Sequence, residues 1–378
     1  MNRVLVMSAV LMWGCGAFVS EVAARGGGQA GAALSQIVAR FDALEAASVD
    51  VEKWRAYTNE DGSLAWGTSY LLDAYLDMYE ATRNRGYLDK FMILADALTK
   101  QTDIQRDLAD YKGRKRVGWG AVKYSKAGEL VVWLAHSGMI TYPLARFVMI
   151  VNLSSALSGL ADTARRLRNL TEAALHEFDR QWRYDSSSGS GYYVFEDSDP
   201  IKVSAGPETP VPFNQQLAAG RAFIVLWRVT GNSGYQQKAE GLARHFKGQL
   251  RMDSTGGYEW DYWYGKGLAR YRSLEDISHG AIDVDFAVRA AQESLVFARD
   301  DIVRFVLAFF RYTNSSEWKM PQAKDAAGRW LELAGLDCRV YHRVFPHLMA
   351  KDGSQHSQVL LGVAKLAKYV RNCAENKQ

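Results

Sequence analysis

Apolar residues recur at three- and four-residue spacing in five long stretches of the chain, and each stretch opens on a polar or turn-forming residue. One follows Ser63, running from Leu64 to Tyr75. Others follow Tyr142-Pro143, Pro212-Phe213, Asp276-Ile277-Ser278 and Asp352-Gly353-Ser354. This pattern predicts helices with polar caps or a proline at the first turn. The markers Trp66, Tyr142, Asn214, His279 and His356 stand near the five starts, roughly 65–77 residues apart, a regularity that reads as a repeat.

Thr82 to Lys90 matches Thr230 to Lys238 at Thr, Asn, Gly, Tyr and Lys. In both segments a long helix should end, turn on Asn and Gly, and give way to a second helix. Each repeat is then a helical hairpin, with long loops rich in Gly, Ser and aromatics at one end (119–124, 186–193, 256–267). Five to seven such hairpins close into a ring, so the fold expected for residues 25–378 is all-α: a single α/α toroid.

Met1-Asn2-Arg3, the apolar run Val4 to Met12 and the small residues Val22-Ala23-Ala24 have the order of a secretory leader, cut between Ala24 and Arg25. The protein is accordingly expected in the periplasm or outside the cell. Met12-Trp13-Gly14 is a poor lipoprotein box before Cys15, and no later run reaches the ~20 uninterrupted apolar residues of a membrane span. The mature chain keeps Cys338 and Cys373, either bridged or as two buried thiols. Seven histidines without paired ligand spacing suggest no metal site, and no cofactor motif is present. A net charge of +4 without a basic block argues against nucleic acid and mildly favours an acidic polymer. The 11 Trp and 19 Tyr, clustered with polar residues as in Tyr258 to Tyr264, suit stacking on sugars.

Parallel inner helices would bring their N-termini to one mouth, where anions are favoured. Trp66, Tyr142, Asn214, His279 and His356 should stand there, with His136 just before the second start. The densest site is Leu274 to Asp285. If Ser278 caps the helix, His279 lies in its first turn as a base, and Asp283, four residues on, meets the same face and holds the ring. Glu275, Asp276 and Asp285 surround it. Asn214 offers an amide donor to a carboxylate, reinforced by Gln215. His136 is a second acid/base or a sugar-binding donor. His176, His245, His342 and His347 read as surface or packing residues.

This pattern resembles the α/α toroid uronate-processing enzymes, namely the alginate and glucuronan lyases and, more distantly, the glucuronyl epimerases. The likeness covers most of the mature chain as architecture, although the adjacent Asn-Asn-His motif of toroid alginate lyases is absent. It implies an acidic polysaccharide substrate cleaved by β-elimination. The carboxylate would be neutralised by Asn, Arg or His, the alpha proton taken by Tyr or His, and the leaving oxygen protonated by Tyr. Asn214 and His279 match the first two roles. Tyr262 is the first choice of tyrosine, ahead of Tyr264 and Tyr271, and Arg270 or Arg272 would pair with the carboxylate. Trp66, Tyr142, Gln215, Glu259, Trp260, Tyr264, Glu275 and Asp283 complete the expected substrate contacts. Two rivals stay open: a glycoside hydrolase using a carboxylate pair among Glu259, Asp261, Glu275 and Asp276, and a non-catalytic glycan-binding toroid.

Overall fold

Thr82 and Thr230 each end a helix by donating their hydroxyl to the carbonyl four residues back, at 2.7 Å in both cases. The Asn84 and Asn232 backbone N–H groups donate to those hydroxyls at 3.1 and 3.2 Å. The Gly86 and Gly234 N–H groups then donate to the two Asn side chains at 3.0 and 2.9 Å. Between them Arg83 (φ 59°) and Gly231 (φ 70°) take the left-handed conformation that reverses the chain. The sequence repeat is therefore a repeat of hydrogen bonds.

The computed structural model describes residues 23–202, 206–265, 268–350 and 356–374. Its helices are α1 (Ala23–Ser48), α2 (Val51–Arg55), α3 (Ser69–Thr82), α4 (Gly86–Lys100), α5 (Leu134–Asn152), α6 (Ala161–His176) and α7 (Phe213–Thr230). They continue with α8 (Ser233–Lys247), α9 (Ile277–Gln292), α10 (Arg299–Asn314), α11 (Pro321–Ala327), α12 (Cys338–Leu348) and α13 (Ser357–Cys373). The expected leader lies outside the described residues except for Ala23 and Ala24, which open α1.

The inner ring runs α3, α5, α7, α9, then α11 with the 3₁₀ segment Gly328–Gly335, then α13, which packs back on α3. Outside it, α4, α6, α8, α10 and α12 cover their inner partners, and α1 covers α13. Six hairpins thus make an α/α toroid whose last pair joins the two ends of the described chain. Inner helices are buried almost all round, as α5 is, whereas an outer helix such as α6 buries one stripe. Close inner packing needs small residues: a Cβ on Gly138 of α5 would lie 2.3 Å from the Ala219 nitrogen of α7. By length and composition α5 could cross a membrane, but its side chains are packed inside the ring.

Two expectations about the starts are corrected. Tyr142-Pro143 lies two turns inside α5, which begins at Leu134, so this proline does not occupy a first turn. The interval between His279 and His356 also hides an extra hairpin. Its inner half is a seven-residue helix continued as 3₁₀, too short to show a 3.6-residue period, although Pro321 marks its first turn.

Connections are short at one end of the hairpins. At the other they are long and include the two-stranded ribbons β1–β2 (Trp182–Asp185, Ser190–Tyr193) and β3–β4 (Arg251–Met252, Tyr258–Glu259). Cys338 and Cys373 are bridged, tying the start of α12 to the end of α13.

A charged layer crosses the interior of the ring. Arg146 binds Asp73, Asp77 and Glu80 at 2.5–2.8 Å, Arg221 and Arg289 share Asp285 at 2.8 Å, and Glu332 holds Lys365 and Lys368. Each charge has a partner, which burial at this depth demands. Tyr142 belongs to this layer. Its ring lies between Arg221 and Arg289, 4.4 and 4.8 Å from the two guanidinium carbons, so it is a structural residue here and not a substrate platform.

Candidate active site at the mouth of the ring

The N-terminal ends of the inner elements converge on a cavity of about 650 Å³. Trp66 enters it from the turn before α3, His136 from the first turn of α5, and Asn214 and Gln215 from α7. Ser278 and His279 come from α9, Asp325 from α11 and His356 from the start of α13. The long loops add Tyr124, Trp133, Phe195, Lys202, Tyr262 and Trp263.

Asp276, not Ser278, caps α9. Its Oδ1 accepts the Ser278 and His279 backbone N–H groups at 2.7 and 2.8 Å, and its Oδ2 meets His279 Nδ1 at 2.8 Å. A single carboxylate thus closes the helix and orients the ring, leaving Nε2 as the acceptor. Burial pushes this carboxyl up, but the His279 ring and the backbone N–H groups outweigh it and hold it at about 2. Asp283 does not hold the ring as expected. It is buried one turn further on and accepts Trp260 Nε1 at 2.8 Å. Burial holds Glu275 and Asp283 well above the usual carboxylate range, with repulsion from Asp283 and Asp276 adding to it at Glu275 and from Asp276 at Asp283.

Tyr262 packs against His279, ring centroids 5.3 Å apart, and its oxygen accepts Gln215 Nε2 at 3.1 Å. Burial, opposed by the Gln215 bond, pushes the phenol up to about 12. The phenol keeps its proton and serves as a donor. Asn214 lines the cavity as a buried side chain, and its Oδ1 has no hydrogen-bond partner among the described residues.

His136 stands on another wall, buried, with Trp66 and Tyr124 edge-on at 5.5 and 5.1 Å. Asn59 fixes it. The Asn59 amide donates to the Trp119 carbonyl at 2.7 Å and to His136 Nδ1 at 3.0 Å, while its oxygen accepts the Ala65 N–H at 3.1 Å. With both amide hydrogens used, Nδ1 is an acceptor and the ring proton sits on Nε2. Burial pushes the ring down to about 3, so His136 is a neutral donor and not a base.

Other expected contacts lie away from the cavity. Trp260 is fully buried, and Tyr264 is buried on Phe213 at 4.3 Å with its oxygen held by Gln216. Glu259 pairs with Arg251 on the outer ribbon, as Asp261 does. Tyr271 is not part of the lining, Arg272 is exposed outside it, and the Arg270 side chain lies outside the described residues. Glu275 and Asp283 sit behind His279 and not in the lining. Of the remaining histidines, His245 is packed among Tyr192, Phe213 and Tyr264, and His347 binds Asp325 at 3.0 Å.

Glu275, Asp276 and His279, grouped in the sequence as the surroundings of the base and not as metal ligands, offer ligand atoms within 4.8 Å of one another. The cap and ring bonds of Asp276 account for its approach to His279, while Glu275 lies behind them with its Oε2 unpartnered among the described residues.

Arg329, in the 3₁₀ segment after α11, was missed altogether. It lines the cavity, donating to Tyr70 Oη and Ser278 Oγ at 2.8 Å each.

No protein-family model matches this sequence, and no curated protein matches it. Solved structures do. The α-1,6-mannanase of glycoside hydrolase family 76 from Salegentibacter sp. HEL1_6 is 12% identical, with a TM-score of 0.56 over 91% of this chain and 98% of that one. A family 76 mannosidase from Bacteroides thetaiotaomicron VPI-5482 is 10% identical, with a TM-score of 0.53 over 91% and 98%. Cellobiose 2-epimerase from Spirochaeta thermophila is 13% identical, with a TM-score of 0.53 over 82% and 85%. The fold is that of the α/α toroids. At these identities the likeness speaks for the fold alone.

Proposed function

We propose that the protein is an exported, carbohydrate-active enzyme that removes a proton from the sugar carbon beside a carboxylate and so cleaves a uronic-acid polymer by β-elimination. The observation that carries this reading is His279, held by Asp276 with Nε2 toward a cavity the size of a sugar-binding cleft. His279 takes the proton from C5, the C5 electron pair becomes the C4=C5 bond, the C4–O bond breaks, and Tyr262 gives its proton to the leaving oxygen. His136 Nε2–H and the Asn214 amide offset charge on the carboxylate as it grows. Epimerisation is the same first step followed by proton return to the opposite face.

Fold likeness to the mannanases favours a second reading, glycoside hydrolysis. An inactive variant of the Salegentibacter enzyme, with two consecutive aspartates changed to asparagine, is solved with α-1,6-mannotriose. Hydrolysis needs two carboxylates flanking the bond, about 5–9.5 Å apart. Here Asp325 is the one carboxylate in the described cavity lining and is engaged by His347. The single Asp-Asp pair, Asp300-Asp301, opens α10, where Asp301 binds Tyr258 and Lys247.

The deciding experiment incubates the protein in deuterated water with alginate, glucuronan, pectate and α-1,6-mannan. Unsaturated-uronate absorbance supports elimination, and deuterium at C5 without chain cleavage supports epimerisation. New reducing ends on mannan with neither signal would replace both by hydrolysis. Intact mass of exported material tests the leader, and Met1 still attached would reject it.

A further inference from the structure

Four arginines are buried among the described residues, and three of them hold carboxylates: Arg116 with Glu177, Arg146 with Asp73 and Asp77, and Arg221 with Asp285. Arg329 is the fourth, 6% exposed, and no described carboxylate lies within 4.0 Å of its nitrogens. Its protein partners are two neutral hydroxyls, its Nε has none, and its guanidinium lies 5.0 Å from the Tyr70 ring centroid. A guanidinium removed from water without an anion is costly, and the protein avoids that cost at its other three buried arginines.

The surroundings favour an anion from outside the chain. Among the described residues, Arg329 and Lys202 face the cavity against one carboxylate, Asp325, and the converging helix N-termini add positive potential. Only two of the guanidinium N–H groups are used by Tyr70 and Ser278, which leaves others for a carboxylate fork. Ser278 directly precedes His279, so an anion on this guanidinium docks beside the wall that carries the base.

We propose that Arg329 is the carboxylate subsite of the cavity, positioned by Tyr70 and Ser278, and that it selects a uronate over a neutral sugar. The subsite rests on reading the cavity as a sugar site, but its test is binding and not turnover. His279→Ala protein is titrated with oligomers from alginate, glucuronan and pectate and with their carboxyl-reduced, neutral counterparts. At least one acidic oligomer should bind about 10–100-fold tighter than its reduced partner, in line with a charge-assisted bond. Arg329→Gln should erase that margin, and Arg329→Lys should keep part of it. No acidic preference in any pair overturns the proposal, as does a preference that survives Arg329→Gln. Should Arg329→Gln fail to fold, a structure of the His279→Ala complex decides: a carboxylate on the guanidinium supports the subsite, and one bound elsewhere removes it. Uronate binding through Arg329 without turnover by the unmodified protein would sink the catalytic reading and leave the subsite standing. Turnover of an acidic polymer by the unmodified protein, with no acidic preference in the His279→Ala titrations, would do the reverse.

Discussion

Asn59 and His136 are 77 residues apart in sequence, yet their side chains meet at 3.0 Å in the buried wall of the cavity. Because Trp119 and Ala65 fix which way the amide faces, the imidazole has one tautomer available, with its proton on Nε2. Nitrogen NMR of labelled protein near neutral pH should show His136 Nδ1 unprotonated and Nε2 protonated. A protonated Nδ1 would refute the assignment. Asn59→Ala leaves the Trp119 carbonyl, the Ala65 N–H and the ring without this partner, so it should lower unfolding stability by about 1–3 kcal/mol and release the tautomer.

Burial also makes this ring a determinant of acid stability. His136 is pushed down to about 3 and His245 to about 4 by loss of solvent, against about 6.5 in an unfolded chain. Both folded values lie below the unfolded one, so the unfolded state takes up protons that the native state refuses. Their stabilising contribution is complete above about pH 6.5 and is lost as pH falls toward about 3 and 4. Each ring should add roughly 1 kcal/mol of destabilisation per pH unit in that window. Urea midpoints at pH 4.5, 5.5 and 6.5 should fall more steeply for the native protein than for His136→Gln. Parallel curves would mean that His136 is accessible to protons.

Residues at helix starts were the legible part of the site. His279 and Asn214 stand in first turns, where local pattern and position coincide, and Trp66 stands just before one; His136, expected before its helix, stands in the first turn because α5 begins at Leu134. Asn59 and Arg329 were not legible, because their roles depend on residues from other elements: Trp119 and His136 for one, Tyr70 and Ser278 for the other. Sequence proximity misled in the segment from Tyr258 to Tyr264. Tyr258 and Trp260 face the core while Glu259 and Asp261 face Arg251 on the outside, the alternation of an extended chain. Reading that segment with a period of two would have separated them. The repeat was legible through Thr82 and Thr230, whose turns close by side-chain bonds local in sequence, whereas the hairpin beginning at Pro321 was hidden by its short 3₁₀ inner half.

The disulfide should matter for stability and not for binding. Cys338 and Cys373 are separated by 35 positions and neither lines the cavity. Closing a loop of that size constrains the unfolded chain by about 3–4 kcal/mol in the chain-entropy account. The double Cys→Ser variant should lose an amount of that order in urea titration while keeping its affinity for whichever oligosaccharide the native protein binds. Lost affinity in a folded variant would show that the end of α13 is coupled to His356 at its start.

Asp276→Asn separates the two tasks that one carboxylate performs. Asparagine is as good a helix cap as aspartate, so its Oδ1 can keep the Ser278 and His279 N–H bonds, and the melting temperature should change little. The other arm of the amide is now a donor facing His279 Nδ1. The ring must then present Nδ1 as an acceptor and carry its proton on Nε2, toward the cavity, where the proposed reaction needs a base. Turnover should fall by about 10²–10⁴-fold, the usual worth of general-base catalysis, with substrate affinity nearly unchanged. Asp276→Ala should show a similar kinetic loss plus a stability cost of about 0.5–2 kcal/mol for the missing cap. If Asp276→Asn instead retained full turnover, His279 would not be the base, and Asp276 would be reduced to a cap.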